Sequence, residues 1–121
     1  VRFVFSMDPR DHVGSDHLAK LNWMTISDRV GFFKLIHVFK IRNGLAPGYL
    51  ANNFNLITST HGHFTRGSVC NYSISRDMSN SPTSFVFTAV KNWNCLPNFL
   101  KEIQSLPVFK TKLKGFILSD Y

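Results

Sequence analysis

Acidic residues are scarce in this chain, and none stands beside another. Seven Asp and Glu face fourteen Lys and Arg over 121 residues, a formal net charge of +7. The seven are Asp8, Asp11, Asp16, Asp28, Asp77, Glu102 and Asp120. No Asp-Asp pair exists, so the sequence offers no carboxylate cluster of the kind that holds two metal ions for nucleotidyl transfer or strand cleavage. Cysteine is nearly absent too. Cys70 and Cys95 fit no paired metal spacing, and they read as free buried thiols in a reducing compartment. No apolar run approaches the roughly 20 residues of a membrane span, and no signal-peptide pattern opens the chain. A Gly-x-Ser-x-Gly elbow, a phosphate-cradling Gly-rich loop, internal repeats and low-complexity tracts are all missing. These absences argue against an independent enzyme, a membrane protein and a zinc module.

What is present is apolar bulk. Hydrophobic residues make up 44% of the chain and charged residues 17%, with twelve Phe and two Trp, which places it among globular domains with a real core. The segment from Phe32 to Pro47 organises the rest. Phe32, Leu35, Ile36 and Phe39 recur at helical spacing on one face, and Val30, Val38 and Ile41 make a second apolar side. A helix apolar beyond one stripe is a central helix with neighbours on several sides. Ser27 or Asp28 is expected to cap it, Gly44 to end it in the left-handed conformation, and Pro47 to open the next helix in its first turn.

Around it, residues 1–6 read as a strand or the tail of a longer helix. Because the chain begins with Val1, a fragment of a larger protein is expected. A short helix follows Gly14, with Leu18 and Leu21 inward. Another spans Ala46 to Asn53, with Tyr49, Leu50 and Phe54 inward. Residues 55–83 are polar and turn-rich, and Val69–Ile74 alternates like a strand. Ser84–Phe87 is expected to be extended, with Thr88 capping a helix that carries Ala89, Val90 and Trp93. Pro97 starts a helical turn to Ile103. Ser105 caps a final amphipathic helix on which Leu106, Phe109, Leu113, Phe116 and Ile117 share the buried face. The expected fold is therefore mainly α: one small helical domain, residues 1–121, with a short irregular or two-stranded β element in the middle.

Several stretches together resemble a known family. They are Leu21-Asn22-Trp23-Met24-Thr25-Ile26, Gly44-Leu45-Ala46-Pro47-Gly48-Tyr49-Leu50, Thr65-Arg66, Trp93-Asn94-Cys95-Leu96-Pro97 and Phe109-Lys110-Thr111-Lys112-Leu113-Lys114. In this order they look like the C-terminal region of LINE-type, non-LTR retrotransposon reverse transcriptases, beyond the fingers and palm. Thr25 stands where the family commonly has Pro, and Cys95 where small polar residues are common. The resemblance implies a non-catalytic, thumb-adjacent fragment of an RNA-directed DNA polymerase, whose catalytic acids would lie upstream of Val1. It implies RNA or an RNA–DNA hybrid as partner, together with the upstream polymerase domains of the parent chain. No cofactor, membrane or small-molecule substrate is implied, and the setting would be the nucleus or cytoplasm.

The basic surplus is consistent with an acidic partner, nucleic acid first. The candidate nucleic-acid-binding residues are Arg66, Arg76, Lys110, Lys112 and Lys114, with Lys101 also on the terminal helices. Arginines in a loop can fork onto phosphates, and His61, His63, Phe64 and Arg66 mix rings with charge as strand-binding loops do. Lysines beside an apolar stripe equally serve to solubilise a helix. On that competing reading the chain is a protein-packing module. It would dock on the polymerase thumb through Val1–Phe5 and the outer side of the central helix, without binding nucleic acid. His61 and His63 with Cys70 make at most part of a metal site, and no metal is expected. His37 reads as a hydrogen-bonded core or boundary histidine. Cys95 reads as a buried packing thiol, and Trp23 and Trp93 as anchors of turns against the central helix.

Overall fold

The computed structural model describes residues 1–60 and 70–119. Its elements are α1 (Ser15–Lys20), α2 (Ile26–Arg42), α3 (Gly48–Ala51), α4 (Ile57–Thr60), α5 (Arg76–Ser79), α6 (Phe85–Cys95), α7 (Asn98–Lys101) and α8 (Leu106–Leu118). The fold is mainly helical, as expected, and α2 is its centre, packed by α6, α8 and α3. Leu35, Ile36, Val38 and Phe39 are buried on it, with Phe32 and Ile41 partly so. Val30 remains half exposed, so the second apolar side is buried only in its C-terminal half.

The helix limits follow from hydrogen-bonding demands at their ends. Thr25, rather than Ser27 or Asp28, caps α2: its hydroxyl accepts from the Asp28 amide at 3.2 Å and donates to the Asp28 carboxylate. Asp28 thus sits three residues inside the helix as the second half of the cap, where the dipole also favours its charge. At the other end Gly44 has φ +68°. The Leu45 amide reaches the Lys40 carbonyl at 2.8 Å and the Gly44 amide reaches Ile41 at 3.3 Å. This is the Schellman pairing that a left-handed glycine permits. Gly44→Ala is expected to cost about 1–2 kcal/mol, since the strain lies in the left-handed backbone. A fall in urea midpoint at unchanged slope would show it.

Pro47 precedes α3 as its cap rather than lying within its first turn, and α3 is a single turn that leaves Tyr49 exposed while Phe54 is buried. Of the stretch expected to be extended, Phe85–Phe87 is helical and only Ser84, at the cap, is extended. Ser84 caps α6 by accepting from the Phe87 amide at 3.2 Å, and the Thr88 hydroxyl back-bonds to the Ser84 carbonyl from inside the helix. Val86, Ala89, Val90 and Trp93 then face inward. On α8 Phe109 and Leu113 are fully buried, with Leu106, Phe116 and Ile117 at the margin.

An aromatic chain runs through the core. Phe39 stacks on Phe109 with centroids 4.3 Å apart and rings 20° from parallel. Trp93 lies 6.0 Å from Phe109 and 6.4 Å from Tyr72, and Tyr72 meets Phe54 edge-on at 5.6 Å. In the middle, the described residues carry one isolated antiparallel bridge, between Leu56 and Tyr72. The N-terminal region packs lightly. Residues 1–6 form turns rather than a strand or helix, and α1 buries no residue, so Leu18 and Leu21 are only partly covered.

Candidate nucleic-acid interface

The groove between the α1–α2 connection and α8 gathers basic and aromatic side chains. Asn22 turns the chain there with φ +55°, and Trp23 follows it. Trp23 is 52% exposed, so it is not the turn anchor expected of it. Two adjoining hollows share Asn22 and Lys114. One, about 350 Å³, is lined by Asn22, Trp23, Met24, Arg29 and Lys114. The other, about 440 Å³, adds Phe32, Lys110, Thr111, Gly115 and Leu118. Among the described residues none of the lining is acidic. Lys110 and Lys114 are four residues apart on α8, which puts both on one side of its buried seam.

The other candidates separate. Lys112 is exposed on the far side of that seam, beside Pro107, Val108 and Thr111. Arg76 is exposed on α5, whose packing partner is α6. Arg66 lies outside the described residues, as do Thr65, Phe64, His61 and His63. Arg29 and Trp23 were missed as site residues. Their signal was in the sequence: Asn22-Trp23 falls between α1 and α2, and Arg29 stands three residues before Phe32, which puts both on the side of α2 that lines the groove.

Lys101 is not a surface cation at all. It is 3% exposed, and its ammonium donates to Asn71 Oδ1 at 2.8 Å and to the Asn94 carbonyl at 3.0 Å. These bonds help fasten residues 70–73 to the end of α6. The Trp93 indole donates to the Cys70 carbonyl at 2.9 Å, while the Asn94 amide pairs with both the N–H and the C=O of Tyr72, each at 2.9 Å. On the opposite edge, the Ile57 amide donates to Asn71 O at 3.1 Å and the Ser73 amide to Asn55 O at 2.7 Å. Burial pushes the Lys101 ammonium below its ordinary 10.5, and the nearby Arg42 charge pushes the same way against an opposing effect of Cys70 and Cys95. Burial also raises the Tyr72 hydroxyl above its ordinary 10.0, partly offset by Arg42.

A lowered lysine means that the unfolded chain binds more protons than the folded one between the depressed value and 10.5. Stability from this group therefore rises with pH through that window. Tyr72 acts in the opposite sense above 10.0, because the unfolded chain then loses its proton first. Urea midpoints should climb relative to Lys101→Met as the pH rises toward 10.5, since in that variant this contribution is gone.

Both cysteines are free, but Cys95 is exposed at the end of α6, not buried, and Cys70 is partly buried. Trp93 is fully buried, as expected of an anchor. His37 is exposed, in edge contact with Phe85 at 6.0 Å, rather than in the core. Among the described residues no three His, Cys, Asp or Glu side chains stand together as a metal site, and no helix is long and apolar enough to cross a membrane. Comparison of the chain with protein-family models, with curated proteins and with solved structures gave no match.

Proposed function

We propose that this domain is a non-catalytic C-terminal accessory domain of a retroelement RNA-directed DNA polymerase, which holds template RNA or the RNA–DNA hybrid through backbone phosphates. The observation that carries the binding reading is the placement of Arg29 and Lys114 beside the half-exposed ring of Trp23, with Lys110 in the adjoining hollow and no carboxylate among the described lining residues. Cations on helix faces meet phosphates, and an exposed indole offers a sequence-tolerant stacking surface. The parentage rests on the ordered motifs of the sequence, and with it a nuclear or cytoplasmic setting. Binding to a labelled RNA hairpin and an RNA–DNA hybrid across a salt series tests the reading. Three phosphate contacts give a log–log slope of about −2 to −3. A folded chain that binds neither probe at low salt would overturn it.

A second reading is favoured by the outer face of α2. Ile26, Val30 and Phe33 follow one another at helical spacing and are 86%, 49% and 52% exposed. Such a stripe suits packing against upstream polymerase domains of the parent chain. In a chain carrying those domains, Val30→Glu with Phe33→Glu would uncouple their thermal unfolding from that of this domain. Unchanged co-operative unfolding would count against the packing role.

A further inference from the structure

The C-terminal end of α2 poses a charge problem that the groove does not share. Among the described residues Arg42 Nη1 is buried without a hydrogen-bond partner, while Nη2 reaches the Cys70 sulfur, a weak acceptor, at 3.7 Å and the guanidinium also acts on the Tyr72 hydroxyl. A guanidinium N–H withdrawn from water and left unpaired is costly, so it marks a place where an acceptor is missing. The buried Lys101 ammonium adds a second positive charge nearby and has only uncharged acceptors of its own. Among the described residues no carboxylate bonds to either cation.

Arg42 opens on a cleft of about 430 Å³. Asn43, Tyr72 and Gln104 bring polar groups to its wall, and Phe54 and Leu56 supply an apolar side. The negative end of the α2 dipole would oppose an anion here, but the Phe39, Lys40 and Ile41 carbonyls are already occupied by the amides of Asn43, Leu45 and Gly44. Thirteen residues of helix, about 20 Å, separate Arg42 from Arg29, so this cleft is independent of the groove.

We infer that the Arg42 cleft binds a phosphate monoester, its oxygens on the Arg42 fork and its organic body against Phe54 and Leu56. A guanidinium short of an acceptor, with no carboxylate bonded to it among the described residues, matches a group that carries nearly two negative charges at neutral pH, and its planar fork matches two of that group's oxygens. A free mononucleotide and the terminal phosphate of a strand share this chemistry.

The test is thermal unfolding of the full chain in inorganic phosphate, acetate or chloride at matched ionic strength. It is followed by AMP against adenosine, and by a 5′-phosphorylated hexanucleotide against its 5′-hydroxyl form. Phosphate is expected to raise the Tm by roughly 2–4 °C over acetate and chloride. The rise should vanish in Arg42→Gln and shrink in Gln104→Ala, a change at the exposed rim that keeps the fold if Arg42→Gln does not. A preference for AMP over adenosine assigns the site to small esters. A preference for the phosphorylated strand assigns it to strand ends. Equal shifts in phosphate, acetate and chloride, or a phosphate response untouched in both variants, would overturn the inference.

Discussion

Replacing Arg29, Lys110 and Lys114 together by Gln is expected to weaken binding to an RNA hairpin on the order of 10²-fold at 0.1 M salt. The same change should make the log–log salt slope less negative by about 2 to 3. Each cation that meets a phosphate releases counterions, and near 0.1 M salt each release is worth somewhat under a factor of ten. The three side chains line one continuous groove, so their contacts fall on one strand and their losses add. Arg29 and Lys110 are exposed and Lys114 is partly so, and the unfolding temperature should therefore stay close to that of the parent. Lys112→Gln and Arg76→Gln supply the contrast. Both residues are cationic and exposed, but neither lines the groove, and each should leave the slope nearly unchanged. If all five charges contributed alike, net charge and not the groove would be responsible.

Phe39→Ala is expected to destabilise the fold by about 3–5 kcal/mol, a large share of the roughly 5–15 kcal/mol that a small domain possesses. Phe39 is fully buried at the middle of α2 and stacks on Phe109, which in turn meets Trp93. Removing the ring leaves a cavity between α2 and α8, where neither helix can close in without moving Leu35, Val38 or Leu113. The urea midpoint should fall by roughly 2 M. Phe33→Ala, six residues earlier on the same helix, should stay within about 0.5 kcal/mol of the parent, because that ring is half exposed. The pair separates packing from the loss of aromatic area as such.

Local chemistry made much of the fold legible. Gly44 and the face of α8 follow from spacing and from the one residue type that tolerates a left-handed cap. The start of α2 was also written in the sequence, as Thr25-Ile26-Ser27-Asp28, a hydroxyl followed three residues later by an acid. Choosing Ser27 or Asp28 took the nearest polar residue instead of the pair. At α6 two hydroxyl residues four apart, Ser84 and Thr88, both qualify as caps. The period of Val86, Ala89, Val90 and Trp93 decides for Ser84, because Val86 already belongs to the buried face.

The site was less legible, because exposure is a tertiary property. Trp23 and Trp93 both stand near helix ends among apolar residues, yet one is half exposed and the other fully buried. Trp93 is covered because residues 70–72 fold across it and accept its indole N–H. Among the described residues no hydrogen bond is made to the Trp23 indole, and the ring stands half exposed just after the positive φ of Asn22. Lys101 reversed in the opposite direction. Its neighbours in sequence give it no reason to be inside, and its acceptors, Asn71 and the Asn94 carbonyl, come from segments brought together only by the fold.

The central claim is that nucleic acid enters the groove beside Trp23, and the two indole N–H resonances test it most directly. On titration with an RNA hairpin the Trp23 signal should shift progressively, while that of Trp93, held to the Cys70 carbonyl at 2.9 Å inside the core, should stay in place. An RNA that binds while the Trp23 signal does not move would contradict the account.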